Sequence, residues 1–283
     1  MNTFVFSSKE ELLNQVKKDE ACEEGLEWAN EKDSLESILK EIPLGYRFWC
    51  LERGYVQFLD DCSLEQLNGF NWSYILSSQP QFSEFCSCWE QLDGWDWSNL
   101  LSKQPQFSDR CDWEKLNGWD WSNLLSKQPQ FSDRCDWEKL NGWDWSNLLS
   151  SQPQLSEFCS YWEKLDGSDW SNLLSFQPQF SEFCSYWEKL DGNNWKNLII
   201  DKPQFSSFCS WEKLNGKNWR NLLVNKPQFS EFCFWDKLNG NDWRCLLIEQ
   251  PQFSEFCSYW DKLDNEDWSI LLLKQPHLEK FRK

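Results

Sequence analysis

One unit of sequence recurs nine times along this chain, and its period rules out most folds. It reads roughly C-x-x-W-E-K-L-N/D-G-x-D/N-W-S-N-L-L-x-x-Q-P-Q-F-S-E-x. Its proline sets the register, at Pro80, Pro105, Pro129, Pro153, Pro178, Pro203, Pro227, Pro251 and Pro276, always 24 or 25 residues apart. A fixed period in that range marks a solenoid or array. Each unit is too small to bury its own apolar face, so neighbours must stack. The expected fold is an all-α solenoid of nine short helix-turn-helix repeats, residues 62–283. It lies behind an N-terminal helical cap, residues 1–61, that ends in a degenerate first repeat.

Within one repeat, Gly167 to Leu190, Asp169 precedes Trp170-Ser171-Asn172-Leu173-Leu174. Asp is a preferred N-cap, because its carboxylate accepts free N–H groups of the first turn. The equivalent positions are all Asp or Asn, so a helix is expected to start there. Trp170, Leu173 and Leu174 share one helical face. Pro178 disfavours helix at the residue before it and suits the first position of a second helix. Phe180, Cys184, Trp187 and Leu190 follow as a single apolar stripe. Gly192 reads as a left-handed C′ residue that ends this second helix. The 24-residue repeats lose one residue between Cys and Trp, as in Cys111-Asp112-Trp113. A deletion inside a helix would turn Trp113 by ~100° from its stripe. The second helix is therefore expected to break near the cysteine, with Asp112 and Asp136 capping a new turn. Both tryptophan series read as core, Trp72, Trp97, Trp121 and their equivalents in the first helix, and Trp89, Trp113, Trp137 and theirs in the second.

In the N-terminal part, helices are expected around Lys9–Lys18 and Ala21–Ala29. Leu35–Pro43 echoes the Leu-Leu-x-x-Gln-Pro half of the repeat, and Cys50 takes the place of its cysteine. The stretch Ala21-Cys22-Glu23-Glu24-Gly25-Leu26-Glu27-Trp28, followed by Ser34-Leu35-Glu36 and Tyr46-Arg47-Phe48-Trp49, resembles a short helical segment of many uncharacterised bacterial and phage-associated proteins. The Trp-rich repeat over residues 62–283 is similar to 24-residue tandem repeats of unassigned role in bacterial proteins. In length it resembles the variant leucine-rich repeat, which alternates α and 3-10 helices. These resemblances imply a helical solenoid and no activity.

Chemistry is scarce. His277 is the only histidine, so no His-dependent triad or multi-histidine metal site can be built. No P-loop or dinucleotide-binding glycine motif is present. Carboxylates recur once per repeat, as in Glu114, Glu138 and Glu163, which is the pattern of a solvated face. The repeat cysteines, Cys62 to Cys257, sit one per unit. Equivalent atoms of stacked layers lie about one helix diameter apart, ~10 Å, too far for disulfides or a shared zinc. They read as small buried hydrophobes, and Cys86-x-Cys88 is only a weak metal signal. No enzymatic activity and no cofactor are expected.

Net charge is -18. Residues 1–61 hold 14 acidic and 7 basic side chains and the repeats hold 32 and 21, so the acidity is spread along the chain. Such a surface repels phosphate backbones, so ordinary nucleic-acid binding is disfavoured. It suits either a basic protein partner or the solubility of an aromatic-rich chain. No stretch is apolar enough for a membrane span and no secretory leader is visible, so a cytoplasmic location is expected.

Function should lie where the repeats differ. The position after the repeat glycine reads Phe70, Trp95, Trp119 and Trp143, then Ser168, Asn193, Lys217, Asn241 and Glu266. A position that tolerates Lys and Glu should be exposed. Four aromatics there, at ~10 Å per layer, form a candidate binding stripe. Recent duplication also explains part of it, because Ser108–Pro129 and Ser132–Pro153 differ only at Lys127 against Ser151. The expected function is a non-enzymatic protein-binding scaffold that reads its partner with an acidic, aromatic-striped surface. Neutralisation of a toxin, host or phage factor is one version of it. The alternatives are stacking of sugars or nucleobases on Phe70, Trp95, Trp119 and Trp143, and an acidic mimic of DNA.

Overall fold

The computed structural model describes residues 4–59, 64 and 66–282. Cys62 and the start of the first full repeat lie outside the described residues. Two compact units are present, 1–140 and 141–283. The fold is all-α, an α-solenoid in which neighbouring helices of each unit pack side by side. Four helices open the chain: α1 Lys9–Lys18, α2 Glu23–Glu31, α3 Leu35–Glu41 and α4 Leu44–Glu52. The repeats then contribute nine ten-residue α-helices among the described residues, α5 (Gly69–Ser78), α6 (Gly94–Lys103), α7 (Gly118–Lys127), α8 (Gly142–Ser151), α9 (Gly167–Phe176), α10 (Gly192–Asp201), α11 (Gly216–Asn225), α12 (Gly240–Glu249) and α13 (Asn265–Lys274).

The helices begin earlier than Asp169 and its equivalents suggest. The N-cap of α9 is Asp166, whose side chain accepts from the Asp169 amide at 2.9 Å, while the Asp169 carboxylate accepts from the Asp166 amide at 2.9 Å. This is a capping box, and it recurs in every repeat helix. The glycine is therefore the first helical residue. Gly192 is not a left-handed terminator, and among the described residues only Gly54 (φ 85°) and Glu20 (φ 58°) have positive φ. Gly192 is required by closeness: a Cβ there would collide with the Lys213 carbonyl of the next repeat.

The second helix is not α-helical. Pro178–Glu182 and Trp187–Lys189 are separate 3-10 turns with Cys184 between them. The break at the cysteine occurs in both repeat lengths. Asp112 precedes the 3-10 turn Trp113–Lys115, but its side chain makes no capping bond. The additional residue of a 25-residue repeat is absorbed in the linker. Trp113 therefore stacks on Trp121 at 5.4 Å and 10°, and Trp187 on Trp195 at 5.6 Å and 16°.

Burial separates the two tryptophan series. Those of the α-helices are core; Trp121, Trp170 and Trp195 are fully buried beside leucines such as Leu124 and Leu173. Those of the 3-10 turns are only half-buried, which corrects the expectation of a second core series. Trp89, Trp113, Trp162, Trp187, Trp211, Trp235 and Trp260 each lie flat on the buried ring eight residues further on, and from Trp162 onward a phenyl ring lies on them as well. Phe183 lies on Trp162 at 5.0 Å and 6°, and Phe208 on Trp187 at 4.7 Å and 10°.

The polar consensus residues bond one repeat to the next. Lys213 Nζ donates to the carbonyls of Glu188 (2.6 Å) and Leu190 (2.9 Å), and Lys115 repeats this on Glu90 and Leu92. Gln104 Nε2 donates to the Ser77 carbonyl at 2.7 Å and Gln177 to Ser150 at 2.8 Å. Ser98 Oγ donates to the Asp120 carbonyl at 3.0 Å, and Ser146 to that of Asp169. The glutamine bonds satisfy carbonyls in the last turn of the preceding helix, which otherwise lack partners. The degenerate first repeat docks through the same rung, since Gln79 Nε2 donates to the Glu52 carbonyl at 3.2 Å.

Candidate partner-binding surface

Phe70, Trp95 and Trp119 occupy the second position of α5, α6 and α7, all in the first unit. That position follows a glycine pressed against the next repeat, so its side chain is carried away from the packed face. Phe70 is 48% and Trp119 41% exposed, whereas Trp95 is half-buried. The cause is stacking. The Phe70 and Trp95 rings lie 5.7 Å apart at 10°, and Tyr74 closes on both at 4.9 and 5.9 Å. Lys103 Nζ sits 5.8 Å over Tyr74. The rings lean together instead of keeping the ~10 Å step of the helices. Trp143, at 53% exposure, holds the same position in the second unit.

Further along, this row turns polar, with exposed Asn193, Lys217, Asn241 and Glu266. These side chains bond laterally, Asn193 Oδ1 accepting from Asn218 Nδ2 at 2.7 Å. A second aromatic row takes over in the same unit. Phe183, Phe208, Phe232 and Phe256 are 41%, 51%, 41% and 49% exposed. They cap the half-buried tryptophans at 4.7–5.3 Å. The sequence reading missed this row. Its signal was the exchange of Phe for Arg110 and Arg134 at one repeat position, because a site that accepts arginine faces water. Arg110 holds its guanidinium 4.8 Å over Trp89, where Trp162, Trp187, Trp211 and Trp235 carry a phenyl ring.

Glu114, Glu138 and Glu163 are exposed, as a solvated face requires. The described repeat cysteines are free thiols, four buried and four half-buried. Burial pushes Cys111 up to about 12 and Cys184 up to about 11, which keeps them protonated and unreactive near neutrality. Cys86 and Cys88 are both buried, free and raised by burial. His277 is exposed. Among the described residues no group of three or more His, Cys, Asp or Glu could hold a metal ion, and no helix is long and apolar enough to cross a membrane.

No family model, curated protein or solved structure matches this chain.

Proposed function

We infer that this protein is a non-enzymatic repeat scaffold that binds a protein partner through its exposed aromatic rows. One observation carries the reading. The recurrent Lys, Gln, Ser and Asp side chains are spent on bonds between or within repeats. Prominent among what the repeats leave for solvent are aromatic rings and carboxylates. Exposed aromatic patches of this kind are typical anchors of protein interfaces, because rigid rings bury much area at little entropic cost. A net charge of -18 favours a partner with basic residues around an apolar patch.

The spacing supports this reading over ring intercalation. A sugar or base inserted between two rings needs roughly 7 Å, twice the ~3.5 Å contact distance. Phe70 and Trp95 leave 5.7 Å.

The test replaces Phe70, Trp95 and Trp119 by Ser, Asn and Lys, the residues that equivalent positions carry at Ser168, Asn193 and Lys217. Capture from the native source is then compared between variant and parent. A partner lost from the variant at unchanged melting supports the proposal. A partner retained in full, or tight parent binding on a glycan array, sinks it.

A further inference from the structure

A half-open apolar cavity of about 500 Å³ lies among α1, α2, α3 and α4. The repeats do not need it, and the segment around Ala21–Trp28 and Tyr46–Trp49 builds much of its wall. Leu26, Trp28, Ile38, Ile42, Tyr46 and Trp49 line it, and Trp28 and Tyr46 meet at 6.1 Å and 53°. Its volume lies within the ~300–1,000 Å³ of small-molecule sites. Walls so apolar offer water few partners.

Charge narrows the ligand. No Lys, Arg or His is among the lining residues. The neighbouring cations are engaged: Lys32 pairs with Glu41 at 2.7 Å, and Arg47 donates to the carbonyls of Phe58 and Leu39 at 2.9 Å. An anionic headgroup would find no counter-ion. The ring faces of Trp28 and Trp49 already carry Lys32 at 4.9 Å and Arg53 at 3.9 Å, so neither offers a free aromatic face to a cationic headgroup.

Glu20 stands at the rim. It closes α1 with a left-handed φ of 58°. Its amide bonds back to the Lys17 carbonyl and that of Ala21 to Val16. This helix end normally takes glycine. A glutamate held there at conformational cost places a carboxylate at the cavity. Opposite in chemistry is the Tyr46 phenol, which burial and the neighbouring Cys22 and Glu24 keep protonated. Glu20 and Tyr46 thus bring a carboxylate and a phenol to an otherwise largely apolar lining.

We propose that this cavity binds an uncharged, largely hydrocarbon small molecule with a single hydroxyl, for which Glu20 and Tyr46 supply the polar partners. Neither the protein-binding reading nor its aromatic rows are required for this site.

The test uses the full chain and a neutral fluorophore, N-phenyl-1-naphthylamine, displaced by 1-decanol or by decanoate. The two competitors share a chain and differ in the headgroup. Saturable dye binding is expected, with decanol displacing at least tenfold more effectively than decanoate. Two variants fill the cavity from different helices. Gly45 lines it and has open space where a Cβ would go, so Gly45→Leu adds volume without collision. Ala29→Phe adds volume to the lining from α2. At least one of them should bind the dye tenfold more weakly while melting as the parent does. Glu20→Gly should weaken decanol at least threefold while raising the melting point. The proposal is overturned if the parent binds no dye, if decanoate competes as well as decanol, or if both filling variants bind within threefold of the parent. Dye binding abolished by the Phe70, Trp95 and Trp119 replacements would overturn it as well. So would a parent dimer that Gly45→Leu dissociates, because the cavity would then be covered by a second copy.

Discussion

The two units are built from one repeat and dress it differently. In 1–140 the aromatic load sits at the second helical position, Phe70, Trp95 and Trp119, and the 3-10 end carries Phe85, Arg110 and Arg134. In 141–283 the helical row, past Trp143, carries Ser168, Asn193, Lys217, Asn241 and Glu266, and phenylalanine occupies the 3-10 end from Phe158 to Phe281. Beneath both, the same lysine, glutamine and capping-box bonds recur. The difference teaches that scaffold and surface are separable here. Duplication copies the bonds that join repeats, while two solvent-facing positions are free to gain or lose rings. Any partner that reads one row of one unit would not find the same row in the other.

The strongest way to break the comparison is to ask whether the two cores are equivalent. Trp121 and Trp170 are both fully buried. Trp121→Ala and Trp170→Ala should each cost ~3–5 kcal/mol, measured by urea unfolding. Hydrogen exchange should show the damage spreading to adjacent repeats. A difference above about 2 kcal/mol between the two variants would mean that the units share a sequence pattern but not an energetic design.

The glycine contacts come next. A Cβ on Gly94 would meet the Lys115 carbonyl, and one on Gly192 that of Lys213, each at under 3 Å. Gly94→Ala and Gly192→Ala should therefore destabilise by ~1–3 kcal/mol, the usual cost of forcing atoms into packed space. In an open helix the same change would stabilise. A stabilised variant would show that repeats can separate at that contact.

Alkali probes both units at once. Burial raises Cys111 and Cys184 above their ordinary value near 9. The neutral thiol is thus favoured in the folded state. That contribution is complete below pH ~9, and stability falls as pH climbs from there towards 11 and 12. Melting followed across this range should drop in the parent and drop less in Cys184→Ala. A parent whose melting is level from pH 9 to 11 would show that the repeat thiols are open to water.

These tests bear on what could be read from residues alone. The proline register, the buried tryptophan series and the helical class were legible, because period and apolar spacing report repeat length and facing. Helix starts were not, since Asp166 and Asp169 are equally good caps and the glycine between them looks like a terminator. Packing against Lys189, which no local pattern encodes, decides that Gly167 enters the helix. The 3-10 turns were read as α-helix with a break near the cysteine, because steps of three and four suit both helical forms. The candidate row at Phe70, Trp95 and Trp119 was found through its tolerance of charge. Its self-stacking was hidden, because side-chain lean is invisible to spacing. The N-terminal cavity was hidden for a similar reason: its walls come from four helices whose relative placement no motif states.

The smallest effect is the most direct test of separability, the exchange of surface residues between units. Phe208 lies flat on Trp187 at 4.7 Å, and Arg110 holds its guanidinium 4.8 Å over Trp89. A phenyl ring gives stacking and apolar cover, and a guanidinium gives a cation–π contact with its charge still hydrated. Each geometry is worth roughly 0.5–1.5 kcal/mol, so the exchange nearly cancels. Phe208→Arg and Arg110→Phe should therefore shift stability by no more than ~0.5–1 kcal/mol, with the near-ultraviolet dichroism of the stacked tryptophans retained. A loss of 2 kcal/mol or more would make these residues part of the core of their own unit. The two rows would then be consequences of packing, and the reading of them as exchangeable contact surfaces would fail in that unit. If stability holds, the exchanged pair becomes a probe of recognition. A partner that follows the rings binds the Arg110→Phe protein more tightly and the Phe208→Arg protein more weakly. One that reads the helical row through Phe70 and Trp95 is indifferent to both.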